Sequence, residues 1–179
     1  MSINDNGIVE TLRENPQNGF RMLMTKYQEA VYWHIRRMVV SHDDAQDASQ
    51  ETFVRIYRSL GNYRGDCSLR SWIYRIATNE ALRLISKRRQ EEVSLESMST
   101  GVGLIPADNY IDYDDKVAVK LQKAILSLPP KQQLAFNLRY YDELSFEEIA
   151  KIADSTSTSI KASYHFAKEK IIKYMNSNE

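Results

Sequence analysis

Aromatic and cationic side chains occur together around a loop that is bounded by two glycines. The loop contains Tyr63 and Arg64, and the helix predicted to follow it carries Trp72, Arg75 and Asn79. Aromatic rings stack on unpaired bases, while Arg and Lys side chains bind the phosphates. The pattern is typical of a site for separated nucleic-acid strands. The alternative is that Trp72 lies in a hydrophobic core and the arginines form a solvated face.

A second pattern, near the C-terminus, predicts two helices joined by a short polar turn. Ser145 and Glu148 have the spacing of a capping box, so one helix begins there. Hydroxyl residues at 155–159 interrupt the apolar spacing, and Thr156 or Ser157 can cap a second helix. The predicted polar face of that second helix carries Lys161, Ser163, His165 and Lys168. This layout can place a helix in a DNA major groove, although an ordinary helical hairpin has the same spacing.

The sequence lacks the patterns that catalysis and metal binding require. Its three histidines are scattered, its single cysteine, Cys67, has no identifiable base, and it contains no glycine-rich phosphate loop. We therefore expect a protein that is not an enzyme and that holds no metal or cofactor. No apolar run is long enough to span a membrane, and a lone cysteine suits a reducing compartment. We expect a cytoplasmic protein with no membrane insertion.

Charge is distributed unevenly along the chain. The 179 residues include 24 basic and 24 acidic side chains, so the formal net charge is zero. Seven of the basic residues lie between positions 64 and 89, against two acidic ones, whereas residues 91–115 contain no Lys or Arg at all. Because binding responds to the local field, a neutral average does not exclude nucleic acid as a partner.

Helical periodicity predicts an all-α protein with two small helical domains. An apolar fraction of 42% supports packed cores, and six glycines and four prolines are few. Apolar side chains recur at helical spacing over residues 20–38. A second helix is predicted to begin near Ser41, and its spacing places Tyr57 on the buried face. A third helix is predicted to begin near Leu69 and to end at Arg89.

Between Val93 and Ile111 the periodicity disappears and Ser, Gly, Pro and Asp dominate. Helical spacing resumes with Val117 on the apolar side, and Pro130 can occupy the first turn of the next helix. We therefore predict a first domain over 1–92, an acidic flexible linker over 93–115 and a second domain over 116–179.

Two charged clusters have both a structural and a functional interpretation. Lys87, Arg88 and Arg89 at a helix end would complement the helix dipole. Asp47 and Glu51 lie on one face of the second helix, available to a complementary helix of another protein, although acidic residues also stabilise a helix N-terminus unaided.

Taken together, these segments resemble the extracytoplasmic-function (ECF) RNA polymerase sigma factors over nearly all of residues 18–175. The family pattern D-A-x-D-x-x-Q-E-x-F is similar to DAQDASQETF at 44–53. The pattern F-R-G followed by L-R-x-W-L-Y-R-I-A-x-N is similar to YRG at 63–65 and LRSWIYRIATN at 69–79. The pattern L-P-P, L-R-Y and L-S-Y-x-E-I-A is similar to LPP at 128–130, LRY at 138–140 and LSFEEIA at 144–150.

The resemblance implies a role for each segment. The first domain would be the sigma domain 2 bundle and the second the sigma domain 4 helix-turn-helix. Residues implied to dock on the β′ coiled coil of core RNA polymerase are Asp44, Asp47, Gln50, Glu51 and Phe53. Residues implied to bind the melted −10 element of promoter DNA are Tyr63, Arg64, Ser68, Trp72, Arg75, Asn79, Lys87, Arg88 and Arg89. Residues implied to read the −35 element are Ser157, Thr158, Ser159, Lys161, Ala162, Ser163, His165 and Lys168.

The same resemblance implies contacts with the polymerase β subunit and an anti-sigma factor that holds the chain inactive. The linker would thread near the RNA exit path. The chain departs from the family pattern where Asp154 stands at the turn glycine, and where Ser163 and Phe166 stand at recognition-helix arginines. Asp tolerates a left-handed conformation, so the fold is not threatened. The loss of two cations should alter base preference, and the family's promoter sequence cannot be carried over.

Two other functions fit parts of the pattern. A stand-alone helix-turn-helix regulator would use the first domain to sense a ligand or to dimerise, but it leaves the Trp72 loop and the acidic face unexplained. A single-strand RNA-binding protein could use the same aromatic and basic residues, but it would not need a helix-turn-helix.

Overall fold

The computed structural model describes residues 3–39, 41–96 and 115–177 and divides the chain into two compact units, Met1–Pro106 and Ala107–Glu179. Every regular element within the described residues is helical, which confirms the predicted all-α class. None of the helices in this part of the chain is long and apolar enough to cross a bilayer.

The described residues of unit 1 form four α-helices. They are α1 (Asp5–Glu14), α2 (Pro16–Met38), α3 (His42–Ser59) and α4 (Leu69–Glu96), with a short 3₁₀ turn at Leu60–Asn62. A capping side chain marks the start of each of the first three helices. Asn4, Asn15 and Ser41 accept hydrogen bonds from backbone N–H groups in the first turns of α1, α2 and α3. Helix α1 was not predicted from the sequence, although Asn is a favoured capping residue.

The core of unit 1 lies where α2, α3 and α4 meet. Leu23, Ile35, Ile56 and Ile73 are fully buried there, and Ile8 adds α1 to the same cluster. Tyr57, predicted to face inward, is 49% exposed and packs edge-on against Phe20 with the ring centroids 5.0 Å apart. The prediction was wrong because Ile56 fills the core position, which turns the next residue about 100° around the helix.

Close approach of α1 and α2 depends on Gly19. A Cβ atom at this position would lie 2.6 Å from the backbone of Leu12, closer than real Cβ contacts allow. Asp5 strengthens the contact by accepting hydrogen bonds from the Lys26 ammonium at 2.7 Å and the Tyr27 hydroxyl at 2.8 Å. Burial and the nearby carboxylate raise the pKa of Tyr27, which keeps its hydroxyl a donor.

The last helix of unit 1 continues beyond the predicted end at Arg89, as far as Glu96. Residues 90–92 are Gln and Glu, which favour helix, and neither Gly nor Pro interrupts the chain there. The first four residues of the predicted linker, 93–96, are therefore helical. The linker's next residues, 97–114, lie outside the described residues.

Unit 2 contains α5 (Lys116–Leu126), α6 (Pro130–Tyr140), α7 (Phe146–Ile152) and α8 (Ser157–Asn176). Pro130 opens α6 as predicted, and the capping box of Ser145 and Glu148 is present at α7. Thr156 caps α8, and Asp154, in the turn before it, has a φ of 51°. The left-handed turn that the sequence suggested is thus confirmed.

Helix α8 packs against the other three helices of unit 2. Its stripe of Ile160, Ala167 and Ile171 is buried, which confirms the predicted apolar face. Val117 of α5 was predicted to share the core, but it is 66% exposed. It lies in the first turn of α5, one turn before Leu121, where the helix packs against the core.

Candidate nucleic-acid interface

The loop before α4 folds back onto the start of that helix. Gly65 has a φ of 81°, a conformation that side-chain-bearing residues rarely adopt. The Tyr63 hydroxyl donates a hydrogen bond to the Cys67 carbonyl at 2.9 Å, and its ring lies 5.1 Å from the Trp72 ring at an angle of 46°. Burial raises the pKa of Tyr63, so the phenol remains a donor at neutral pH.

Trp72 is half-buried and packs against the core of unit 1. The indole contributes to the core, and its exposed part lies beside Tyr63, so a role in binding unpaired bases stays a prediction. The pair forms a partly exposed aromatic surface at the N-terminal end of α4. We call it the Tyr63–Trp72 surface.

Polar candidates surround this surface. Arg64, Arg75 and Asn79 are exposed. Ser68 is exposed too, but its Oγ accepts a hydrogen bond from the Ser71 N–H at 3.1 Å and lies 2.9 Å from the Ser71 hydroxyl. The Ser68 hydroxyl therefore caps the start of α4, a structural role that the sequence analysis did not assign to it.

A cleft of about 310 Å³ lies between the end of α3 and the middle of α4. The residues that line it are Arg55, Arg58, Ser59, Ile76, Asn79, Glu80 and Arg83. Asn79 was predicted as a site residue, whereas the three arginines were missed. Their spacing, three residues apart on α3 and four from Asn79 on α4, was a signal for a shared face.

The only acidic residue that lines this cleft is neutralised by its neighbours. Glu80 is 5% exposed, forms an ion pair with Arg55 and lies 3.6 Å from Arg83. Burial raises the pKa of Glu80, and the charge of Arg55 opposes that shift. Arg55 also lies 3.5 Å from the carboxylate of Glu51, so three guanidinium groups face two carboxylates and the cleft keeps a small positive excess.

Lys87, Arg88 and Arg89 are exposed on α4, which runs on for almost two further turns. The helix-dipole explanation of this cluster therefore fails, because the dipole effect is confined to the last turn. Arg88 forms hydrogen bonds to Asp44 at 2.5 and 3.3 Å and to Glu91 at 3.3 Å. The bond and charge of Asp44 raise the pKa of Arg88.

The acidic face of α3 contains three of its five predicted residues. Asp47, Gln50 and Glu51 are exposed and lie together. Asp44 is half-buried and paired with Arg88, and Phe53 is 8% exposed within the core cluster. Phe53 therefore contributes mainly to the core of unit 1, and only a small part of its ring is open to a partner.

In unit 2, the outer face of α8 carries Thr158, Lys161, Ala162, His165 and Lys168, all exposed as predicted. Ser163, predicted on this face, is 9% exposed, and the prediction was wrong. It follows Ile160 by three residues and precedes Ala167 by four, which places it on the core stripe.

The start of α8 is joined to α6. The Ser159 hydroxyl accepts a hydrogen bond from the Lys131 ammonium at 2.8 Å, and Ser157 is half-buried. Lys131 was not among the predicted residues. It adds a cation beside the first turn of α8, the part of such a helix that contacts base edges.

Aromatic rings hold the cations of unit 2 along the edges of α8. Arg139 lies 4.9 Å and Lys161 5.8 Å from the centre of the Phe146 ring. Lys168 lies 5.6 Å from the Tyr164 ring. Cation–π contacts of this kind fix long side chains while leaving their charge available. Cations held in place by aromatic rings therefore flank α8.

Comparison with known proteins identifies both units. Residues 23–91 match the family model for Sigma-70 region 2, and residues 118–171 match the model for Sigma-70, region 4. The RNA polymerase sigma-H factor of Pseudomonas aeruginosa is 29% identical over 178 residues, which cover 94% of this chain and 92% of that protein. The ECF RNA polymerase sigma-E factor of Escherichia coli K12 is 31% identical, with 94% and 93% covered.

A solved structure has the same fold. It is the sigma factor RpoE from Bartonella quintana in complex with the anti-sigma factor NepR, with a TM-score of 0.71, 20% identity, and coverage of 89% of this chain and 98% of that one. Two region models in order, and a relative 31% identical over nearly its whole length, place the chain in one family. It belongs to the ECF RNA polymerase sigma factors.

Proposed function

We propose that this chain gives core RNA polymerase its promoter specificity, with unit 1 holding the melted −10 element and unit 2 reading the −35 element as duplex. The Tyr63–Trp72 surface carries the proposal. Two partly exposed rings beside exposed arginines bind unpaired bases, and base stacking on an aromatic ring contributes about 1–3 kcal/mol per base. A duplex-binding regulator has no use for such a surface.

In unit 1, the strand would pass from the Tyr63–Trp72 surface along α4. Arg64 and Arg75 would bind phosphates next to the stacked bases. Asn79 and the three arginines of the cleft would hold the nucleotides that follow, and Lys87 and Arg89 would bind the backbone further upstream. This path runs from the loop before α4 along that helix, with Arg55 and Arg58 contributed by the neighbouring α3.

The exposed face of Asp47, Gln50 and Glu51 would dock on the β′ coiled coil, and unit 2 would contact the β subunit. Residues 1–92 and 116–179 would act as the two recognition domains, with 93–115 as the tether between them. In the neutral free chain, affinity for promoter DNA would be low, because polymerase supplies most of the basic surface.

An anti-sigma factor would hold the chain inactive in the cytoplasm. The supporting observation is the fold that the chain shares with RpoE, which was solved in complex with the anti-sigma factor NepR. The chain would act by binding alone, with no cofactor and no catalysis of its own.

The test is reconstitution of the full chain with core polymerase, followed by sequencing of transcript 5′ ends across a genome. We expect discrete start sites that core polymerase alone does not use, and promoter affinity at least tenfold higher with core polymerase than without it. Equal affinity in both cases would indicate a stand-alone regulator and would contradict the proposal.

A further inference from the structure

One aromatic side chain stands out on the outer face of α8. Phe166 is 52% exposed, and its ring centre lies 6.2 Å from that of His165. Thr158 and Ala162, at four-residue intervals before it, are exposed as well. Side chains four apart are neighbours on a helix, so a methyl, a second methyl and a phenyl ring form a continuous apolar stripe. We call these three residues the apolar stripe.

The apolar stripe lies on the part of α8 that would enter the major groove. From Thr158 to Phe166 the helix advances about 12 Å, at about 1.5 Å per residue. That distance corresponds to three or four base pairs at about 3.4 Å each. Lys161 lies beside the stripe, and its ammonium group can reach the DNA backbone there.

An acidic residue follows the stripe on the same side of α8. Glu169, one turn beyond Phe166, lies 3.3 Å from His165 Nε2, and the exposed Lys168 and Lys170 flank it. The carboxylate breaks the apolar surface at this point, so the apolar base contacts of α8 should end near Phe166, while Lys168 can still contact the backbone. The phenyl ring would therefore face a single base pair at one end of the contacted sequence.

We propose that Phe166 is a specificity-determining residue that reads the C5-methyl group of a thymine in the −35 element. The inference rests on the proposed function and deepens it. A phenyl ring cannot donate hydrogen bonds to guanine N7 and O6, as an arginine does. The thymine methyl is the apolar group that a base pair exposes in the major groove, and it is contacted by Ala, the Thr methyl and Phe.

The experiment uses the full chain with core polymerase on a promoter found by 5′-end mapping. Each thymine of the −35 element, on either strand, is replaced in turn by deoxyuridine, which removes only the methyl group. We expect one such replacement to weaken holoenzyme binding about three- to fivefold, the effect of one buried methyl. The same replacement should have no effect with Phe166→Ala. Phe166→Leu should retain part of the effect, because leucine also contacts a methyl group.

Phe166→Arg provides a second, independent arm. It should shift the preference at the same base pair from thymine to guanine. The inference is overturned if no deoxyuridine replacement affects the wild type, if the −35 element has no thymine, or if Phe166→Ala keeps the full effect. It is also overturned if Phe166→Ala weakens binding to core polymerase itself, since a protein would then cover the ring. If the chain with core polymerase does not initiate transcription at discrete sites, the proposed function itself is contradicted.

Discussion

Arg88 and Asp44 form a two-point ion pair that joins α4 to α3, with N–O distances of 2.5 and 3.3 Å. The family resemblance implies different partners for these two residues, promoter DNA for Arg88 and polymerase for Asp44. In the structure, the two side chains form an ion pair with each other instead. Lys87 and Arg89 flank Arg88, and both are exposed.

This pairing predicts different behaviour for two adjacent arginines. Arg89→Ala should weaken promoter binding by the holoenzyme and reduce the slope of log affinity against log salt by about one. Arg88→Ala should lower the free energy of unfolding by up to about 1 kcal/mol, as expected for an exposed pair. In an Asp44→Asn background that loss should shrink to the part contributed by the contact between Arg88 and Glu91. Thermal unfolding measures stability and salt titrations measure DNA binding; an unchanged stability loss in the Asp44→Asn background would contradict the interpretation.

Trp72→Ala should impair strand opening while leaving the affinity for core polymerase unchanged. The ring lies beside Tyr63 at the start of α4, whereas the acidic face belongs to α3. The loss should correspond to about 1–3 kcal/mol, the contribution of one stacked base. Permanganate reactivity of unpaired thymines measures opening. Trp72→Phe, which keeps a ring, is the matched control, and joint loss of opening and polymerase binding would mean that Trp72 serves only the core.

Asp47→Lys should weaken binding to core polymerase by at least about tenfold, because like charges opposed across an interface cost several kcal/mol. Asp47 is exposed, so the free energy of unfolding should not change. Glu10→Lys on α1 makes the same change of charge at another exposed position. If the two variants bind core polymerase equally well, α3 is not the docking face.

His34 should make unit 1 less stable in mild acid. Its imidazole is fully buried, with Nε2 2.8 Å from the Thr78 hydroxyl, and burial lowers its pKa from 6.5 to about 3, assisted by the charge of Arg37. The unfolded chain takes up the proton first. The free energy of unfolding therefore has its full value above pH 6.5. It falls as the pH drops below that value, by up to about 1.4 kcal/mol per pH unit.

Denaturant titrations between pH 7 and pH 5 test this expectation. His34→Gln should remove the fall in stability, whereas His165→Gln, at an exposed position, should retain it. Both variants carry the same substitution, so the comparison isolates the buried site. If the free energy of unfolding falls equally with pH in the wild type and in His34→Gln, His34 is not the cause.

Asp154→Gly should leave unit 2 equally stable or stabilise it by up to about 1 kcal/mol. The φ of 51° is unfavourable for side-chain-bearing residues, by about 1–2 kcal/mol in general and less for Asp. The greater freedom of glycine in the unfolded chain offsets part of the gain. Asp154→Val should destabilise the unit, since a β-branched residue tolerates this conformation poorly. Chemical denaturation decides, and equal stability of the Gly and Val variants would exclude a backbone effect.

Much of this fold could be predicted from local features of the sequence. The capping box at Ser145, the cap at Thr156, the proline that opens α6 and the left-handed Asp154 each depend on residues within one turn of one another. Hydrophobic spacing likewise identified α2, the start of α4 and the buried stripe of α8. Such features arise from short-range geometry, which the order of residues contains directly.

The errors share a different origin. Ser163 and Tyr57 were placed on the wrong helix faces because spacing alone is compatible with more than one buried face, whereas Phe53 is buried as its spacing predicted and only the family resemblance assigned it to a partner. The Asp44–Arg88 pair joins residues 44 positions apart, and the arginine cleft draws its residues from two helices. Contacts of this kind come into being only when separate helices pack together, because packing selects one face of each helix for burial and leaves the other for ligands.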